Sequence, residues 1–169
     1  MTGQPLRICF VCSGNICRSP TAEVVFGAML ADAGLAGAAA VDSAGTGPWH
    51  AGKDMDPRAR QALMSAGYRP APHVARQFVS TDFAGRDLVL ALDSGHLARL
   101  GSLAGLSDDP ADAAAALSLL RSYDPAAVLA GDLDVPDPYY GGQDDFDAVL
   151  GQIERACAGL LAALGPVPR

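Results

Sequence analysis

Cys12 and Arg18 are the residues whose types and spacing most directly suggest chemistry. They bracket a short stretch, Cys12-Ser13-Gly14-Asn15-Ile16-Cys17-Arg18-Ser19-Pro20, with five residues between them. A thiolate is a strong nucleophile. A guanidinium grips two oxygens of a phosphate with its planar fork. A thiolate held beneath a bound phosphoryl group is placed for in-line attack on phosphorus.

The flanking sequence supplies elements that would hold such an arrangement. An apolar run, Ile8 to Val11, precedes the stretch, and an apolar-periodic segment, Ala22 to Leu30, follows it. That order reads as strand, tight loop, helix. Gly14 and Asn15 tolerate positive φ, so the loop can curl. Ser19 is expected at the N-cap and Pro20 at the first helical position, where a missing N–H costs nothing. A loop curling into a helix N-terminus aims backbone N–H groups at one point, and the helix dipole adds partial positive charge there. The same surroundings favour thiolate over thiol at Cys12.

The whole chain sets outer bounds. Its 169 residues, half of them apolar, fit one domain spanning 1–169. No apolar run reaches the ~18 residues of a membrane span. Met1 to Pro5 carries no charged region leading into an apolar segment, so a cytoplasmic location is expected. A net charge of −7 argues against nucleic-acid binding. Cysteines stand at 9, 12, 17 and 157, and three crowd the first strand and loop, which is no disulfide scaffold. Cys9-Phe10-Val11-Cys12 has redox spacing but begins inside an apolar strand rather than at a helix N-terminus. His50, His73 and His96 are scattered, so neither a metal nor a cofactor is expected. Gly47-Pro48-Trp49-His50-Ala51-Gly52-Lys53-Asp54 nearly spells a nucleotide-binding loop, but Asp54 replaces the required hydroxyl and would repel phosphate. The better reading is a mobile aromatic wall, with Trp49 stacking on a substrate ring.

Alternating strands and helices follow. The first helix is expected over Thr21 to Ala33, stopped by Gly34, with Val24, Val25, Ala28 and Leu30 inward. A second strand, Ala38 to Val41, exits through Asp42-Ser43-Ala44-Gly45-Thr46 at the sheet edge where ligands gather. Asp56 caps a helix begun by Pro57 and ended by Gly67. Asp87 to Leu92 reads as a third strand, with Asp93 capping the next helix. Leu97 to Leu106 is helical or broken at Gly101 and Gly105, a turn covers Ser107 to Pro110, and Asp112 to Ala116 is a helical piece. Leu117 to Leu120 is the fourth strand, and Gly131 to Val135 is acidic and irregular. Phe146 to Leu164 is a long amphipathic helix that buries Cys157, before Pro166 and Pro168 end the chain. The pattern is α/β: a four-stranded parallel sheet covered on both faces, in three layers.

The stretch Val11 to Pro20 resembles the phosphate loop of the low-molecular-weight protein tyrosine phosphatases. Far downstream, Asp137-Pro138-Tyr139-Tyr140-Gly141 resembles that family's general-acid loop. The resemblance covers nearly the whole chain. It implies strand order 2-1-3-4 and a metal-free hydrolysis of phosphotyrosine through a cysteinyl-phosphate. Cys12 would be the nucleophile, Arg18 the phosphate clamp and Asp137 the general acid, then base. A departing phenoxide needs a proton delivered opposite the nucleophile. By sequence alone Asp132 or Asp134 would serve nearly as well; the match to the family loop selects Asp137.

Substrate contacts are expected from Ser13, Gly14, Asn15, Ile16, Cys17, Ser19, Ser43, Trp49, Tyr139 and Tyr140. The resemblance makes Ser43 a bond to the phosphate loop, Asp56 a support for the wall loop and His73 structural. It also shows a departure: the family commonly has Asp-x-x-Asn after the third strand, whereas this chain places His96 where Asn is usual, altering the pocket rim. Cys17 would be able to form a reversible disulfide with Cys12 under oxidant. The expected partners are tyrosine-phosphorylated proteins, met by a monomer away from membranes. Thiolate Cys12 with protonated Asp137 implies a bell-shaped pH profile on the acid side of neutral.

Other readings compete. A protein-arginine phosphatase shares the fold, but typically has Thr where this chain has Ile16; a large apolar Ile16 beside Trp49 suits an aryl ring. An arsenate reductase of this fold needs two more cysteines near residues 80 to 95, and none is there. A phosphoprotein-binding module without turnover needs neither Cys12 nor Asp137.

Overall fold

The computed structural model describes residues 3–105 and 115–165. Its frame is β1 (Leu6–Cys12), whose last five residues are buried. Side chains alternate between faces along a strand. Ile8 and Phe10 therefore join one core cluster, and Cys9 and Val11 the other. A strand buried on both sides belongs to the interior of a parallel sheet.

β1 pairs in parallel with β2 (Ala39–Gly45) on one side and β3 (Leu88–Ala91) on the other, and β3 pairs with β4 (Ala116–Leu119). The order is 2-1-3-4, all parallel. β2 runs farther than the apolar segment suggested. Its C-terminal half, Asp42 to Gly45, stays in register with Cys9 to Cys12, so Ser43 lies within the strand rather than in a turn beyond it. Ala116 starts β4 instead of ending a helical piece. The turn read at Ser107 to Pro110 and most of that helical piece lie outside the described residues, as do Pro166 and Pro168.

Helices cover both faces. α1 (Arg18–Asp32), α2 (Pro57–Ser65) and α5 (Gln143–Leu164) pack on the cluster containing Ile8, Phe10 and Phe26. α3 (Ser94–Gly105) and a 3-10 turn, Ser80–Gly85, cover the other face with Leu100, Phe78 and Phe83. α3 runs unbroken through Gly101. α4 (Pro125–Ala130) was not legible as a helix, although Asp124 and Pro125 repeat the cap signal of Asp56 and Pro57: Asp124 accepts the Ala126 N–H. α5 begins three residues before the apolar stripe, where Asp145 turns back to accept the Gly142 N–H. Among the described residues, no helix is long and apolar enough to cross a membrane.

Candidate active site

In an open parallel sheet, ligands gather where the strands end. Cys12 pairs with Gly45 at that edge, and Val11 with Ala91. The segment leading to Asp137 is drawn to the same edge: the Val135 N–H donates to Leu92 O at 2.8 Å. Close approach there requires Gly45, where a Cβ would stand 2.5 Å from the Ser13 carbonyl oxygen.

The loop after β1 curls because five of its carbonyls are taken by groups beyond it. Cys12 O accepts from the Thr46 N–H, Ser13 O from Gly47, and Ile16 O from Asp56. Asn15 O meets His73 Nε2 at 2.7 Å. Cys17 O accepts from the Thr21 hydroxyl. A trans peptide points its C=O and the next N–H in opposite directions. Carbonyls turned outward therefore leave the amides of Ser13, Gly14, Ile16, Cys17 and Arg18 turned inward, which makes the cradle. Asn15 sits at the bend with φ 57°, in the left-handed region Asn tolerates.

The expected cap differs. α1 starts at Arg18 with Cys17 at the cap position, so Ser19 and Pro20 are its second and third residues. The Ser19 side chain is thereby free to turn toward Cys12. Its Oγ lies 3.0 Å from Cys12 Sγ and accepts from Asn15 Nδ2 at 2.8 Å. Asn15 Nδ2 also donates to Ser43 Oγ, which donates to Glu23 Oε2, and Asn15 Oδ1 accepts the Arg76 N–H. Asn15, Ser19 and Ser43 are thus buried behind the cradle and do not line its cavity. They were expected to touch substrate; they brace the loop that would.

The cavity measures about 280 Å³ and is lined by Cys12, Ser13, Gly14, Ile16, Cys17 and Arg18 at its floor and sides, with Trp49, His50, Asp137, Tyr139 and Tyr140 around it. Trp49 is 68% exposed and Tyr140 92%, so both are free to meet a ligand. Cys12 and Cys17 are both free thiols. Burial, with Asp56 nearby, pushes the Cys17 thiol up and keeps it protonated, which leaves Cys12 as the candidate nucleophile. Arg18, 3% exposed, anchors Nη1 on Asp93 Oδ2 and Val135 O, each at 2.8 Å. Its Nη2 lies 3.8 Å from Asp137 Oδ2.

Three aspartates competed for the acid position, and their surroundings separate them. Asp134 accepts from both the N–H and the hydroxyl of Ser94, tethering the segment to α3. Asp132 faces Arg121 at 3.4 Å. Asp137 is the one that lines the cavity, with its Oδ1 on the Tyr139 N–H and its other oxygen toward Arg18.

One histidine was missed as part of the site and another was placed wrongly. His50 packs so closely over the cradle that a Cβ at Gly14 would stand 2.6 Å from its ring; its place beside Trp49 was the available signal. His96 does not shape the rim. It is 5% exposed and lies behind the cradle, with Nε2 at 2.7 Å from Ser13 Oγ and 3.4 Å from Arg18 Nη2. An arginine only donates, so Nε2 must be the acceptor and the proton sits on Nδ1. That atom is 3.2 Å from Asp93 Oδ1, but off the line needed for a hydrogen bond. Burial first, then the charge of Arg18, lowers the His96 pKa to about 4, so the ring is neutral. Burial opposes charge on Asp93 too, but the His96 backbone N–H and the Arg18 guanidinium hold it below the usual carboxylate range.

Among the described residues, no cluster of three or more His, Cys, Asp or Glu is placed to hold a metal ion. The family model of low molecular weight phosphotyrosine protein phosphatase matches residues 7–166. A low molecular weight protein-tyrosine-phosphatase of Streptomyces coelicolor is 56% identical over 158 residues, covering 94% of this chain and 93% of that protein. Low molecular weight protein-tyrosine phosphatase A of Mycobacterium tuberculosis is 47% identical over 157 residues, covering 93% and 90%. Among solved structures, a protein tyrosine phosphatase of Entamoeba histolytica superposes with a TM-score of 0.83 at 32% identity, over 94% of this chain and 96% of that one. A Drosophila arginine phosphatase superposes with 0.85 at 30% identity, over 96% and 100%. With the cradle, its arginine and a facing aspartate at the ends of a 2-1-3-4 sheet, the chain belongs to the low molecular weight phosphotyrosine protein phosphatase family.

Proposed function

We propose that this chain hydrolyses phosphotyrosine in proteins through a cysteinyl-phosphate. The observation that carries the reading is that Cys12, Arg18 and Asp137 line one cavity floored by inward amides. The phosphoryl oxygens sit on the amides and the Arg18 fork, which stabilise the charge of the transition state. Cys12 Sγ attacks phosphorus; the S–P bond forms as the P–O bond to tyrosine breaks. Asp137 gives its proton to the departing oxygen. Asp137, now a carboxylate, takes a proton from water, whose oxygen bonds to phosphorus as the S–P bond breaks. Inorganic phosphate leaves and the thiolate is restored. The Ser19 hydroxyl, 3.0 Å from Sγ, supports that thiolate.

The aryl preference rests on Ile16, Trp49 and Tyr139 around the cavity. The arginine phosphatase among the structural neighbours supports phosphoarginine as the second substrate. The test is turnover of phosphotyrosine and phosphoarginine peptides side by side, with Cys12→Ser as control. Phosphotyrosine turnover that vanishes in the variant is the expected result. A preference for phosphoarginine would show that Ile16 does not select the ring. Tight binding without turnover of either would make this a binding module.

A further inference from the structure

Arg58 lies on the first turn of α2, outside the cavity lining, and nothing in its sequence setting marks it for catalysis. Its guanidinium nevertheless joins the two halves of the site. Nε and Nη2 fork onto Asp56 Oδ1 and Oδ2 at 3.1 and 2.9 Å. Nη2 also donates to Tyr139 O at 2.9 Å, and Nη1 donates to Gly141 O at 3.0 Å. The guanidinium carbon stands 4.4 Å from the centre of the Phe146 ring on α5, a favourable stacking partner for a planar cation. Gln143 Nε2 holds the Arg58 carbonyl at 3.0 Å, so the turn that carries the side chain is itself tied to α5.

Each end of this bridge has a distinct attachment. Asp56, 8% exposed, gives its backbone N–H to Ile16 O in the cradle at 2.8 Å. Burial opposes its charge, but the Arg58 hydrogen bonds outweigh that and hold its carboxyl below the usual range. The other end grips Tyr139 and Gly141, whose carbonyls lie just past Asp137 and Pro138. Inside that loop, Asp137 Oδ1 is held by the Tyr139 N–H and Pro138 O by the Gly141 N–H. Moving the Tyr139 peptide therefore moves the Asp137 carboxyl. A displacement of an ångström is enough to cost a proton transfer much of its rate.

We propose that Arg58 is a positioning residue that sets the height of the Asp137 loop over the cradle, so that leaving-group protonation depends on it and phosphate binding does not. The inference rests on the acid role given above to Asp137. It separates two properties that a merely structural arginine would lower together.

The experiment compares wild type, Arg58→Lys, Arg58→Ala, Asp137→Asn and the Arg58→Ala/Asp137→Asn double variant. Each is given p-nitrophenyl phosphate, whose leaving group needs little help, and phosphotyrosine, whose leaving group needs a proton. kcat/KM reports the steps through P–O cleavage. In Arg58→Ala it should fall about 30-fold for phosphotyrosine and no more than about threefold for p-nitrophenyl phosphate. Competitive inhibition by inorganic phosphate should stay within about twofold of wild type. Arg58→Lys keeps the charge and one bond, and should show the same pattern at smaller size; it serves if the alanine variant does not fold. Against Asp137→Asn, adding Arg58→Ala should cost little more, because both remove one function.

Equal losses on both substrates, weakened phosphate inhibition or no loss at all would each overturn the inference. If Asp137→Asn itself shows no leaving-group dependence, the acid assignment fails, and the role of Arg58 with it. If Asp137→Asn shows it and the Arg58 variants do not, only the inference about Arg58 fails.

Discussion

His96 shows how a single side chain becomes a structural part through burial. It is packed beside Arg18 and Ser13, with Asp93, Asp134 and Asp137 as the carboxylates that act on it. Its folded pKa of about 4 lies below the value of 6.5 for an ordinary histidine. Between those values the unfolded chain takes up a proton that the folded chain refuses. The stability His96 contributes is therefore complete above about pH 6.5, falls as pH drops toward 4, and is gone below that, a change of up to about 3 kcal/mol. Thermal melts of wild type and His96→Gln from pH 7 to pH 4.5 check this. The wild type should lose more stability than the variant over that span, and parallel losses would show that other groups govern the acid limb. The family pattern marked His96 as a departure near the pocket but not its burial or its neutral ring; only the fold brings it against an arginine 78 positions away.

Elements were legible where local chemistry decided them. Asp56 and Pro57 start α2 as read, and the apolar stripe of α5 faces inward as read. Boundaries moved where tertiary contacts decided. Ser19 has good cap chemistry, but the cradle needs its hydroxyl at Cys12, and the helix begins earlier, at Arg18. β2 continues past its apolar residues because β1 offers a full ladder beside it. Ser43 and Asn15 were rightly linked to the loop, but residue type alone does not say whether a polar group faces a ligand or the structure behind it. Packing between elements also sets a prediction. On α5, a Cβ at Gly159 would run into the backbone carbonyl of Tyr123, in the 3-10 turn after β4. Neither partner is a flexible side-chain tip, so Gly159→Ala should lower stability by roughly 1–3 kcal/mol in denaturant unfolding. A variant as stable as wild type would mean that α5 shifts freely along that turn.

At the scale of the molecule, a net charge of −7 coexists with the proposed anion site. The site draws on inward amides, a helix N-terminus and one buried guanidinium, not on a basic surface. Inorganic phosphate should therefore stabilise the whole fold despite the overall repulsion, by about 2.7 kcal/mol at a concentration 100 times its Kd. Thermal shift with phosphate, in wild type and Arg18→Ala, measures it; an equal shift in both would place the anion elsewhere. The fold class and strand order were legible from strand-helix alternation and from the family resemblance, because the nine-residue loop and the acid loop each carry local signatures. The wiring between them was not, because it runs through backbone groups that every sequence possesses.

The outward-facing carbonyls of the loop have one more consequence. Four of them take donors from Thr46, Gly47, Asp56 and His73, residues on the connections just before and just after α2. A synthetic peptide of residues 12 to 20 would have every motif residue and none of those donors. Its carbonyls would turn to water, its amides would point anywhere, and it would bind phosphate no better than any short flexible chain. The motif is therefore not portable: grafting this chemistry onto another scaffold means transplanting the outer ring of donors along with the nine residues that give the loop its signature.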